Sequence, residues 1–265
     1  RAQRIYAEAG GIGLFVDVLS HGFWKDQSKI EQLALARPSR VTVSFDAFGE
    51  TRNQIRGRAG FAEETERSIQ TLMRVRKEHD LDMAIRLKTV IMQQNLEQVC
   101  EVARFAAAQG LEVFYQPIEQ NYGTPEDSSW FEHSETWPRD ASKAVEVVRQ
   151  LCALKNQGLP IANSHEQLNV MIPYFLDPGR SRVAVQNHAA HESKTFCSAL
   201  TMLQIQANGD VTVCRARKAI GNVRSGPIRT IWITRPHWWD EGCCLVDRQP
   251  AVSVRNPADG NALSV

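Results

Sequence analysis

The sequence has no apolar run approaching the roughly 20 residues that a membrane-spanning helix needs. It also has no excess of charge of either sign, since 31 basic side chains stand against 30 acidic ones. A basic surface for nucleic acid or for an anionic membrane is therefore not indicated. We expect a globular protein with neither kind of partner.

Cysteines are few and unevenly distributed. There is no short Cys-x-x-Cys pair of the kind that zinc sites favour, and no nucleophile–base set or phosphate loop is recognisable. Two of the six cysteines lie on apolar helix faces and are predicted to be small buried side chains, whereas the other four fall in the last third of the chain. That clustering favours metal binding in a reducing compartment, the cytoplasm, over a secreted disulfide scaffold. The first two are Cys100 and Cys152, and the others are Cys197, Cys214, Cys243 and Cys244.

Short β-branched runs alternate with longer amphipathic segments through the first half of the chain. Because strands joined by helices of this length imply right-handed crossovers, the pattern predicts a parallel sheet. Four such units fit part of a (β/α) barrel, and an open doubly wound sheet is the competing architecture. The predicted strands are residues 11–20, 40–48, 81–92 and 111–118, with a loop at 49–60, a boundary loop at 119–140 and helices at 61–79, 141–156 and 165–176.

The C-terminal region contains a predicted β-hairpin flanked by cysteines. In FCSALTMLQIQANGDVTVC, the Asn208-Gly209 pair separates two alternating apolar runs. The hairpin would bring Cys197 and Cys214 to the same end of the ribbon, as half of a tetrathiolate site. A chance pair of cysteines around a hairpin is the alternative.

The order of these residues resembles the SPASM and twitch domains of radical S-adenosylmethionine (radical SAM) enzymes. Cys197, Gly209 and Cys214 stand as in the opening pattern of those domains, and Ile220-Gly221-Asn222-Val223 followed by Ile231-Trp232 is similar to its continuation. Cys243 and Cys244 come where further ligands of that family begin. Because neighbouring residues of an extended chain point to opposite sides, one of this pair is the better ligand.

The first half resembles the barrel of the same family. VTVSFDAFGETRNQIRG is similar to its V-S-(L/F)-D-…-R-G segment, and Ser20-His21-Gly22 stands where a Thr-Asn-Gly triplet is frequent. The resemblance implies a partial radical SAM barrel over residues 1–140, a helical connector over 141–190 and a SPASM/twitch-like iron–sulfur domain over 191–265.

The family's CxxxCxxC loop for the SAM-cleaving cluster is absent from the 265 residues. Since the chain also opens at Arg1 within a helical pattern, we expect an N-terminally truncated fragment that is inactive by itself. The resemblance implies that the full-length protein uses SAM and a [4Fe–4S] cluster to generate a 5′-deoxyadenosyl radical. It further implies an auxiliary [4Fe–4S] cluster on Cys197, Cys214, Cys243 and Cys244, an electron donor such as flavodoxin or ferredoxin, and a peptide or protein substrate.

Cofactor-binding residues are predicted at the ends of the second and fourth strands. The resemblance places Ser44 near the SAM ribose or carboxylate, with Asp46 beside it, although Asp46 serves equally well as a turn cap. Arg56 is a candidate partner for the SAM carboxylate or a solvated loop residue. Gln116, and Glu119 beyond it, are placed to reach the same cavity. No catalytic residue is assigned, and His21 is expected to be structural.

One further pattern concerns the third strand. Arg86 and Lys88 alternate with apolar residues, so one face of that strand is cationic. Inside a barrel such a face lines a polar cavity and favours an anionic substrate or cofactor group. The competing functions are a non-enzymatic zinc or iron–sulfur binding module on an α/β scaffold, and an α/β enzyme unrelated to SAM.

Overall fold

The structure is a computed structural model that describes residues 2–120, 127, 129–178, 202–213 and 218–235. Contacts divide the chain into two compact units, Arg1–Gly179 and Arg180–Val265. Among the described helices, none combines the length and apolar character required to span a bilayer.

The first unit is built on a four-stranded parallel sheet in the order β1-β2-β3-β4. Each strand is followed by helix before the next begins, as the alternation of periodicities predicts. The strands are β1 (Asp17–Ser20), β2 (Arg40–Ser44), β3 (Ala84–Ile91) and β4 (Glu112–Pro117). The helices are α1 (Ala2–Gly11), α2 (Gln27–Leu35), α3 (Gly49–Arg56), α4 (Phe61–Glu78), α5 (Val99–Ala108), α6 (Trp130–His133), α7 (Ala141–Asn156), α8 (His165–Asn169) and α9 (Met171–Leu176), with a 3-10 turn at Gln93–Asn95.

The hydrophobic core lies between one face of this sheet and the helices. Strand residues such as Val41, Leu87 and Val113 are fully buried against the apolar stripes of α2, α4, α5 and α7. Cys100 is buried in this core and Cys152 packs at its edge, which confirms the small-hydrophobe interpretation for Cys100. Burial also raises the pKa of the Cys100 thiol, so this cysteine is a structural side chain.

The two edges of the sheet differ. Beside β4, the segment at residues 160–163 continues the hydrogen-bonding, because Val113 donates to Pro160 and accepts from Ala162. Among the described residues, nothing pairs with the outer edge of β1, and Leu19 on that strand is 65% exposed. Four strands do not close a barrel, so the sheet is a barrel segment that is open at β1.

Two local predictions were wrong. Residues 11–20 are not one buried strand: α1 ends at Gly11, Gly13 turns the chain with φ 82°, and only Asp17–Ser20 pairs with β2. Residues 49–60 are not a loop, since α3 occupies most of them. Its signals are an acidic first turn at Glu50, a basic last turn at Arg56 and a left-handed Gly57 directly after it.

The second unit contains the predicted hairpin. Strands β5 (Gln204–Ile205) and β6 (Asp210–Thr212) pair antiparallel around Asn208-Gly209, with φ 90° at Gly209. A third short strand, β7 (Gly221–Asn222), pairs with β6, and helix α10 (Ile228–Ile233) follows. The hairpin prediction is therefore confirmed, whereas the cysteines predicted to flank it lie outside the described residues.

Candidate functional site

Among the described residues, helices cover one face of the sheet, and the other face, here called the open face, stays partly exposed. Along β3 buried and half-buried residues alternate, with Ile85, Leu87, Thr89 and Ile91 buried and the intervening side chains partly exposed. The register of the parallel pairs extends this alternation to β4 and places Ser44 of β2 on the partly exposed side, whereas Thr42 of β2, on the same side, is buried. The open face is the concave side of a barrel segment, where parallel (β/α) folds place ligands near the carboxyl ends of the strands.

Charged side chains on the open face form two cross-strand ion pairs. Arg40 donates from Nε and Nη2 to Asp17 Oδ2 at 2.9 and 2.7 Å, and Arg86 donates in the same way to Glu112 Oε2 at 2.9 and 2.6 Å. The predicted cationic face of β3 is thus partly neutralised by its neighbours. Lys88, two residues beyond Arg86 on the same face, makes no ion pair among the described residues.

Asp46 lies just beyond the carboxyl end of β2 and is almost fully buried, with 2% of its side chain exposed. Its Oδ2 accepts from Arg56 Nη2 at 2.5 Å, and its Oδ1 accepts from the Val90 N–H at 3.1 Å. Asp46 therefore joins the end of β2 to β3 and holds the last residue of α3 over both strands. A ligand at Arg56 would share this arginine with Asp46.

Asn95 ties the same two strand ends together from the other side. Its amide nitrogen donates to the carbonyls of Asp46 and Val90, both at 2.7 Å, and its Oδ1 accepts from the Met92 N–H at 2.9 Å. The side chain is fully buried, and its bonds satisfy backbone groups of the buried Asp46 and Met92 and of the half-buried Val90. The separation of the β2 and β3 ends is fixed by this amide.

Arg52 on α3 is a fully buried arginine that the sequence analysis did not single out. Its Nη2 donates to the carbonyl of Ser44, to the carbonyl of His21 at 3.4 Å and to Thr65 Oγ1 at 3.3 Å. Its guanidinium also lies 4.6 Å from the centre of the Phe45 ring. The Nε and Nη1 atoms have no hydrogen-bond partner among the described residues.

The charge of Arg52 is electrostatically costly where it lies. Burial lowers the pKa of Arg52 from its ordinary value to about 10, a shift that Arg56 reinforces and that Asp46 and Glu66 oppose. A lowering of this size corresponds to about 3 kcal/mol against the charged form. The guanidinium connects the ends of β1 and β2, because it donates to the carbonyls of His21 and Ser44.

We expect Arg52→Met to change the free energy of unfolding by no more than about 1 kcal/mol, because relief of the buried charge offsets the lost hydrogen bonds. The sign of the pH dependence follows from the lowered pKa. Above about pH 10 the unfolded state binds more protons at this residue than the folded state does, so the unmodified protein should gain stability relative to Arg52→Met as the pH rises. Urea unfolding monitored by circular dichroism measures both effects.

Arg67→Met, an exposed arginine of the neighbouring helix α4, is the control for Arg52→Met. A stability loss in Arg52→Met well above about 1 kcal/mol would mean that its hydrogen bonds outweigh the cost of burying its charge.

The turn after β1 depends on a glycine. Gly22 has φ 81°, and a Cβ at this position would lie 2.6 Å from Thr65 Cγ2 and 2.8 Å from Val43 Cγ1. The preceding His21 is exposed, and its Nδ1 accepts from the Phe23 N–H at 3.0 Å. His21 thus has a structural contact, as expected.

Among the predicted cofactor-binding residues, Ser44 and Gln116 lie on the open face at the carboxyl ends of β2 and β4, half-buried, and neither side chain has a hydrogen-bond partner among the described residues. Asp46 and Arg56 lie at the same edge, bound to each other. The four predicted metal ligands, Cys197, Cys214, Cys243 and Cys244, lie outside the described residues. Within those residues, no cluster of three or more His, Cys, Asp or Glu side chains could hold a metal ion.

Neither a protein-family model nor a curated protein matches this sequence. Solved structures match its fold. Streptococcus suis SuiB bound to S-adenosylmethionine has a TM-score of 0.57 and 13% identity, over 89% of this chain and 52% of the SuiB chain. Native anSMEcpe with bound AdoMet has a TM-score of 0.50 and 12% identity, over 83% of this chain and 56% of its own.

The anSMEcpe structure with bound AdoMet and the Cp18Cys peptide is similar at a TM-score of 0.50 and 13% identity, over 82% of this chain and 57% of the other. The chain thus spans a little over half the length of these solved chains. Sequence identities of 12–13% support a conclusion about the fold alone. The part of this chain that carries the likeness is its four-stranded parallel sheet. This chain therefore shares its fold, a partial (β/α) barrel, with these S-adenosylmethionine-bound proteins.

Proposed function

We propose that this chain supplies part of the barrel of a radical SAM enzyme that modifies a peptide or protein side chain. SAM lies across the carboxyl ends of β2–β4, and the substrate occupies the open face of the sheet. In this proposal residues 1–140 form the partial barrel, 141–190 a connector and 191–265 a SPASM/twitch-like domain.

The observation that carries the proposal is a pair of polar side chains at the strand ends that have no hydrogen-bond partner among the described residues. Ser44 and Gln116 lie at the edge where parallel barrels bind their ligands, and neither is used by the fold among the described residues. SuiB and anSMEcpe, which share the fold, were solved with S-adenosylmethionine bound. A half-buried hydroxyl and amide suit the ribose and the amino-acid part of that cofactor.

The residues present fit SAM in two different ways. Ser44 and Gln116 would contact it directly, whereas Asp46 would act by holding Arg56, whose guanidinium is the nearby cation for the SAM carboxylate. Bound SAM, cleaved reductively at a cluster in the full-length protein, supplies a 5′-deoxyadenosyl radical for hydrogen abstraction. This chain's own contribution is to orient the cofactor and to cover the convex side of the sheet with helices, so that water reaches only the open face.

The iron–sulfur part of the proposal depends on cysteines outside the described residues. Cys197, Cys214 and one or both of Cys243 and Cys244 would hold an auxiliary [4Fe–4S] cluster, reduced by a flavodoxin- or ferredoxin-type donor. Its support is the cysteine order around the confirmed hairpin. The peptide substrate is supported by the anSMEcpe structure that contains a peptide together with AdoMet.

Formation of 5′-deoxyadenosine from SAM under reducing, anaerobic conditions tests the proposal. In the full-length protein, Ser44→Ala or Gln116→Ala should raise the KM for SAM about tenfold, the value of one hydrogen bond to a polar or charged group. Ser142→Ala, on the exposed start of α7, is the matched control and should leave KM unchanged.

Two results would contradict the proposal: no 5′-deoxyadenosine from the full-length protein after reconstitution with iron and sulfide, or an unchanged KM in both site variants. The isolated 265-residue chain is expected to give none. Formation of 5′-deoxyadenosine by that chain above a metal-free control would show that SAM cleavage does not require a CxxxCxxC loop in this protein.

A further inference from the structure

The open face of the sheet carries one cation that its neighbours leave uncompensated. Arg40 is paired with Asp17, and Arg86 with Glu112, each through two donors on one carboxylate oxygen. Lys88 lies on the same face, one pleat closer to the carboxyl ends, and has no carboxylate within ion-pair distance among the described residues. Among the described residues of the open face, Lys88 is therefore the one cation without an ion-pair partner.

The level of the sheet at which Lys88 lies is otherwise uncharged. Its partners in register are Ser44 on β2 and Phe114 on β4. The next level up contains Val90 and Gln116, together with Asp46, whose charge is paired with Arg56. A half-buried ammonium between a hydroxyl and an aromatic ring is less screened than one in bulk water, so a bound anion is held more strongly there. The aromatic and aliphatic neighbours suit the apolar part of an amino-acid side chain.

We propose that Lys88 binds the carboxylate of an acidic side chain of the substrate. The inference rests on the proposed function, because it places the substrate on the open face. A monoanion matches one ammonium, whereas a phosphate dianion is usually held by several donors or by an arginine fork. Arg86, the nearest guanidinium on the strand, is already occupied by Glu112.

SAM also carries a carboxylate, and the cation nearest to its proposed position is Arg56 rather than Lys88. Arg56 extends from α3 over the ends of β2 and β3, beyond the strand ends, whereas Lys88 lies level with the last residue of β2. Binding of the SAM carboxylate at Arg56 leaves Lys88 for the substrate. Titration of the Lys88 variants with SAM distinguishes binding of the SAM carboxylate from binding of the substrate carboxylate.

The test is the affinity of the 265-residue chain for two blocked tripeptides, acetyl-Ala-Glu-Ala-amide and acetyl-Ala-Gln-Ala-amide, measured by saturation-transfer NMR. The glutamate peptide should bind about tenfold more tightly than the glutamine peptide, and Lys88→Met should abolish that difference. Lys88→Arg should retain the preference. Lys29→Met, on the exposed surface of α2, should leave the preference for the glutamate peptide unchanged. Added salt should weaken the binding of the glutamate peptide and leave that of the glutamine peptide unaffected.

Equal affinity for the two peptides, or an unchanged preference in a folded Lys88→Met or Lys88→Gln variant, overturns the inference. SAM is titrated against the same variants. Loss of SAM affinity in Lys88→Met without loss of the peptide preference would assign Lys88 to the cofactor and also overturn it. If the glutamate preference depends on Lys88 but the full-length protein neither binds nor cleaves SAM, the carboxylate site stands and the proposed function fails.

Discussion

Asp46→Asn is expected to lower the free energy of unfolding of the first unit by about 3–5 kcal/mol, because it removes one partner of a buried ion pair. Asparagine preserves the shape and can still accept from the Val90 N–H, so the change isolates the charge. Arg56 loses its carboxylate, and buried Arg52 loses the anion that opposes the lowering of its pKa. Urea unfolding monitored by circular dichroism gives the value.

Glu97→Gln is the control for Asp46→Asn. It removes the carboxylate of an ion pair with Lys143 in which the Glu97 side chain is 77% exposed, and a pair of this kind contributes about 0–1 kcal/mol. Similar small losses in the two variants would mean that the Asp46–Arg56 pair does not hold the strand ends together.

The structure shows Asp46 as a buried link between the end of β2, β3 and α3, while its cofactor-binding role stays a prediction. A turn cap is normally solvent-exposed, whereas Asp46 is 2% exposed and bonded to a neighbouring strand and to α3. Its contacts make it a positioning residue for Arg56. Variants at Asp46 should therefore affect SAM binding through the placement of Arg56, and Ser44 is the better residue for probing direct contact.

Regular features of the fold could be predicted from the sequence because they depend on local periodicity. The parallel strands, the helix at 141–156 and the hairpin at Asn208-Gly209 all follow from alternation of apolar residues and from turn residues. Helix α3 was missed although its end signals were present. Its low apolar content resembles a loop, and the residues that it buries are the polar Arg52 and Asn53, which apolar periodicity does not reveal.

The site was predictable in part. The polar residues at the strand ends could be named, since strands that end in polar side chains point to one edge of a parallel sheet. The partners could not be named: the Asp46–Arg56 pair, the Arg52 contacts and the neutralisation of Arg86 by Glu112 join residues that only the three-dimensional register brings together. Lys88 became distinct from Arg86 only when that register was known.

Asn95→Ala should cost about 3–5 kcal/mol, since it leaves two carbonyls and one N–H without their buried partner and each unsatisfied group costs about 1–3 kcal/mol. The groups are the carbonyls of Asp46 and Val90 and the N–H of Met92. Asn156→Ala, at the exposed end of α7, is the control and should change stability by less than about 0.5 kcal/mol. Urea unfolding at neutral pH measures both.

The double variant Asp46→Asn, Asn95→Ala tests whether the two side chains act as one unit. Both join the end of β2 to β3 through Val90, one at its N–H and the other at its carbonyl. If the first substitution already separates the strand ends, the second has less to remove, so the double variant should lose at least about 1 kcal/mol less than the sum of the single losses. Strict additivity would mean that the two contacts are independent. In that case the spacing of Ser44 and Lys88, which lie two residues before Asp46 and two residues before Val90, would not depend on the two contacts jointly.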